Sequence, residues 1–97
     1  MPLLVFRTVH NHNEQAVFDL IEAEAARQPD FAGQPDLLAD VACVALNALP
    51  PRYIRHSIDM SFYMTDQERL ALESGVTNAV RSAFAFVRSR MGQRDAG

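Results

Sequence analysis

Between Asn47 and His56 the chain gathers an amide, two guanidinium groups, a phenol and an imidazole, on Asn47, Arg52, Arg55, Tyr53 and His56, with Pro50 and Pro51 in the middle. Each arginine offers a planar fork of donors that matches phosphate, carboxylate or the edge of guanine. A tyrosine ring gives a face on which a base can stack, and an asparagine both donates and accepts. Two successive prolines hold the backbone extended, so less entropy is lost when the residues after them meet a ligand. Together these groups suit recognition of a nucleotide. The same residues also have a purely structural reading, in which Pro-Pro stops a helix, Asn47 caps its carbonyl end and Tyr53 fills the core. Spacing alone leaves both open.

Other chemistry is harder to assemble. The chain has no glycine-rich phosphate loop, dinucleotide fingerprint or nucleophile elbow, so no enzymatic activity is expected. Cys43, the one cysteine, excludes an intramolecular disulfide, and its apolar neighbours predict a buried thiol rather than a nucleophile. His10 and His12 share one side of an extended segment and, with His56 or an acid, would give a metal-dependent hydrolase. A solvated turn before a helix explains them more simply, and no metal or other cofactor is expected. Glu22 and Glu24 read as a solvated helix face. Pro50-Pro51-Arg52-Tyr53 matches the proline-rich ligand of WW domains, but such ligands are exposed and flexible, whereas this one lies between folded elements.

Composition narrows the partners. Ninety-seven residues, 48% of them hydrophobic and 22% charged, make one globular domain whose small core would gain from pairing with a second copy. A formal charge of -3 argues against broad binding to DNA or RNA, which needs a basic surface. All nine basic residues are arginine, a bias that genomic base composition explains. No run reaches the ~18 apolar residues of a membrane span, and Met1 to His10 lack the pattern of a secretory leader. The expected location is the cytoplasm, with no membrane partner.

The elements that would position the cluster follow from periodicity. The N-terminal arm, residues 1–12, reads as a short strand or an ordered segment. Asn11 or Asn13 caps a first helix over about 14–27, whose inner face carries Val17, Leu20 and Ile21. Pro29, Gly33 and Pro35 make the next stretch a loop. A second helix, about 36–48, is apolar nearly all round, which places it between other helices or at a subunit interface; Pro50 ends it. From Ile54 to Tyr63 apolar and polar residues alternate as in a half-buried strand, which needs the N-terminal segment or another copy to pair with. Thr65 to Glu68 form a capping box for a long last helix, in which Leu72, Val76, Val80, Ala83, Val87 and Met91 track one face. Gly75 marks a close helix crossing, and the tail 92–97 is expected to fray. The fold expected is mainly α, a compact domain of about three helices with a short strand between the last two, and a homodimer on core size.

One string is more specific than periodicity. Asp40-Val41 followed by Ala45-Leu46-Asn47-Ala48-Leu49-Pro50-Pro51-Arg52-Tyr53 resembles the signature of the late-competence ComFB family, and the element order agrees over roughly residues 13–90. The resemblance implies a small helical dimeric bacterial protein, with cyclic di-GMP as the ligand of some members. Zinc-holding cysteines of other members have no counterpart here, since only Cys43 is present. Arg52 and Arg55 without an Asp-x-Ser-x-x-Gly stretch do not make a PilZ-type receptor.

The function expected is therefore a non-enzymatic signalling protein binding a cyclic dinucleotide as a dimer, each copy supplying one half-site. Its ligand-binding residues would be Asn47, Pro50, Pro51, Arg52, Tyr53, Arg55 and His56, the last two on chemical grounds alone. The alternative is a protein-interaction module with no small ligand, docking a downstream regulatory protein through its long helix or the surface around Phe62 and Tyr63.

Overall fold

A computed structural model describes residues 6–55 and 64–96 of the chain. Strand β1, His10–Asn11, passes directly into helix α1, His12–Ala25. A 3-10 turn, Pro29–Phe31, leads to α2, Pro35–Ala48, then to β2, Tyr53–Ile54, and finally to α3, Asp66–Ala96. The expected three-helix fold is what forms. The strand between the last two helices is short, and it pairs antiparallel with the N-terminal segment, His10 opposite Ile54 and Asn11 opposite Tyr53. The remainder of the expected strand, His56 to Tyr63, lies outside the described residues.

The helix ends obey local chemistry. Asn11 caps α1, its side chain accepting from the Asn13 N–H at 3.2 Å. Pro35 opens α2, where a missing N–H costs nothing. Leu49 ends α2 in an extended conformation because Pro50 follows it. At α3 the Thr65 hydroxyl accepts from the Glu68 N–H at 3.1 Å and donates to the Glu68 carboxylate at 3.3 Å. The capping box thus forms with its return contact on the hydroxyl. The backbone of α3 stays helical past Met91 to Ala96, beyond the point where fraying was expected, across Gln93, Arg94 and Ala96, all good helix formers.

Val17, Ile21, Val41, Ala45, Val76, Val80, Ala83, Phe84 and Val87 fill the core where the three helices meet. Phe31 joins them from the turn, fully buried, its ring edge-on to Phe84 with centroids 5.0 Å apart. Arg88 fastens this turn to α3. Its guanidinium donates to Asp30, 2.7 Å from Nε, and to the Gln28 side chain, and it lies over the Phe31 ring. Cys43 is exposed, contrary to the buried thiol expected, because α2 turns only its Val41 and Ala45 side fully inward. Gly75 marks no tight crossing either. A Cβ placed there would meet only Leu49 Cδ2, at an ordinary 3.9 Å.

Candidate functional site

The diproline segment poses a problem of backbone satisfaction. Neither proline has an N–H, so the stretch offers carbonyls that no helix or ladder completes. Two asparagines at the start of α1 answer it. The Asn13 amide, fully buried, donates to the Pro50 carbonyl at 2.8 Å. The Asn11 side-chain oxygen accepts from the Arg52 N–H at 3.0 Å while still capping α1. The His12 N–H donates to the Arg52 carbonyl at 2.7 Å. Both backbone groups of Arg52 are thereby occupied, and β1 holds Tyr53 in register.

What remains for chemistry is the side chains. Tyr53 is 68% exposed, so it does not fill the core as the structural reading required. Arg52 is half-buried, Arg55 exposed. The ion pairs Arg69–Asp66 and Arg88–Asp30 involve neither of them, and among the described residues neither guanidinium has a carboxylate partner. Pro50 and Pro51 are exposed on the same corner. Asn47 is exposed on the last turn of α2 and makes no side-chain hydrogen bond among the described residues, so it does not cap that helix; Leu49 N–H bonds to Leu46 carbonyl instead. His56 lies outside the described residues. The corner therefore presents a cation and an aromatic face on a backbone whose Pro50 carbonyl and Arg52 N–H and carbonyl are already satisfied.

Sequence reasoning treated Asn11 and Asn13 as rival caps and missed that both brace this corner. The signal was present in two polar residues just ahead of an apolar face, but their partner, 37 to 41 residues away, was not. His10 faces its own local backbone, with Nδ1 3.1 Å from the Thr8 carbonyl. Among the described residues no group of three or more His, Cys, Asp or Glu side chains is placed to hold a metal ion.

A second feature lies between α1 and α2. Phe18 and Ile21 of α1 and Leu38, Ala42 and Leu46 of α2 line an open, almost wholly apolar groove that Cys43 borders. Phe18 is 43% exposed there. Among the described residues no helix is long and apolar enough to cross a membrane.

Residues 10–91 match the family model described as Late competence development protein ComFB. No curated protein and no solved structure matches the chain significantly.

Proposed function

From the premise that this chain belongs to the late competence development protein ComFB family, a regulatory family and not a known enzyme family, we propose that it is a non-catalytic receptor binding a cyclic dinucleotide, cyclic di-GMP foremost, as a dimer. The observation that carries this reading is the corner at Pro50–Arg52. Its backbone is fixed by Asn11, Asn13 and His12, while the Arg52 guanidinium stays without a carboxylate partner and Tyr53 stays exposed. In the receptor, Arg52 and Arg55 hold phosphate, and Tyr53 stacks on a base. Asn47 and His56 flank them as further donors. A ligand with two phosphates and two bases across a two-fold axis suits two such corners, one from each copy.

The apolar groove beside Cys43 favours a second reading, a module that docks a regulatory protein without a small ligand. Thermal-shift measurements with cyclic di-GMP, cyclic di-AMP and a linear guanosine dinucleotide separate the two. A receptor is stabilised in proportion to the logarithm of ligand concentration above Kd, because only the folded state binds. A midpoint unmoved by every dinucleotide at millimolar concentration removes the receptor reading and leaves the docking module.

A further inference from the structure

Exposure alternates along β2 and its flanks. Pro51, Tyr53 and Arg55 face solvent, while Arg52 and Ile54 are half-buried. Tyr53 and Arg55 therefore share the outward face of the two-stranded ladder. The register fixes what lies beside them. His10 pairs with Ile54 and Asn11 with Tyr53, so one further step brings Val9 opposite Arg55. The His12 N–H bonds the Arg52 carbonyl, which makes Asn11–Tyr53 and Val9–Arg55 the positions between ladder hydrogen bonds, where facing side chains stand closest. The Val9 N–H accordingly points away from β2 and donates to the Phe6 carbonyl at 3.1 Å. That bond closes a turn that sets Phe6 on the side of β1 away from β2. Val9 is 46% and Phe6 64% exposed, so two apolar side chains lie uncovered beside Tyr53 and Arg55.

We propose that the turn from Phe6 to Val9 extends the base-binding surface that Tyr53 begins, with Val9 continuing its floor and Phe6 forming its outer border. The inference rests on the dinucleotide reading above and deepens it, adding the N-terminal segment to the site. A cross-strand diagonal such as Tyr53 to Val9 spans ~7–8 Å, within reach of a large flat group. The occupant must offer a broad apolar face to the tyrosine and the valine. It must also offer negative charge to Arg55, which has no carboxylate partner among the described residues. A base joined to a phosphate offers both. An aliphatic chain or a bare anion would use one half of the surface only. Bases stack through a π-face that all of them possess, so this surface holds a purine without choosing between guanine and adenine.

Calorimetry with cyclic di-GMP on the intact protein and on Phe6→Ala, Val9→Asp and Leu70→Ala tests this. Phe6→Ala should weaken binding about five- to tenfold, the lower end of what a lost stacking contact costs. Val9→Asp should weaken it by more than about tenfold, because the new carboxylate lies opposite Arg55 and competes with phosphate for its guanidinium. Leu70→Ala, at a comparably exposed apolar position on α3, should bind as wild type. All three positions are exposed, so unfolding midpoints without ligand should stay near wild type. The shift produced by cyclic di-GMP should shrink for the first two variants alone. Wild-type affinity in both Phe6→Ala and Val9→Asp, with Arg52→Ala still weakened, overturns the role of the turn and leaves the receptor reading standing. Should light scattering show either substitution turning a ligand-free dimer into a monomer, a second copy rather than a base covers this surface, and the inference falls. A wild type that gives no heat with cyclic di-GMP removes the receptor reading for that ligand and this inference with it.

Discussion

Asn13 has no exposed surface, yet its side chain carries two hydrogen-bonding groups. The amide donates to Pro50, while Oδ1 makes no hydrogen bond among the described residues. Replacing it with alanine strands the Pro50 carbonyl but also removes an unsatisfied acceptor, so the two effects partly offset. Asn13→Ala is expected to cost about 1–2 kcal/mol in denaturant unfolding, and Asn13→Asp more, because it loses the donor and buries a charge. At the other end of α1, the Arg88 guanidinium holds the Asp30 carboxyl below its ordinary value by hydrogen bonding. A lowered folded-state value means the contribution is complete above the unfolded carboxyl's range and is lost as pH falls through the folded value. Wild type should therefore be slightly more stable than Asp30→Asn near neutrality, with the difference vanishing in strong acid. Both side chains are 43% exposed, which keeps the effect small. A difference that persists at low pH would show that Asp30 acts by packing. Of the signature residues, the sequence indicated what chemistry their side chains offer. It left open which way they face, because exposure of Tyr53 depends on β1, a partner 42 positions upstream by register.

At the scale of elements, periodicity and capping located the helices closely. The three apolar faces, Val17 with Ile21, Val41 with Ala45, and Val76 through Val87, are the ones that bury. Two elements escaped. The turn Pro29–Phe31 has breakers on both sides and reads as a loop, yet Phe31 is the plug that closes the core against Phe84. Its role depends on α3 passing beneath it, which no local pattern encodes. Gly75 failed in the opposite direction, since a glycine in a helix suggests a close approach that the geometry does not require. Gly75→Ala should raise stability by about 0.5–1 kcal/mol, the helix propensity gained, with no steric charge against it. A loss of stability in thermal unfolding would mean that α2 and α3 sit closer than described.

For the whole molecule, α3 spans ~46 Å over 31 residues, about twice the ~21 Å of α1 or α2. The helix apolar on nearly every side, α2, is only partly covered within one chain, leaving Cys43 and the groove beside Phe18 open. A second copy seated there would bury what the sequence pattern marks as interior. Leu46→Glu should convert a dimer to a monomer in size-exclusion chromatography with light scattering, whereas a wild type monomeric at tens of micromolar would remove the two-fold receptor geometry. The measurement closest to the central claim is a calorimetric titration of cyclic di-GMP into wild type and Arg52→Ala at matched concentration. Saturable binding at one dinucleotide per two chains, weakened about ten- to hundredfold by the substitution, is the predicted result. Equal affinity of the two proteins would contradict it, for the unpaired guanidinium at the diproline corner would then have no part in holding the ligand.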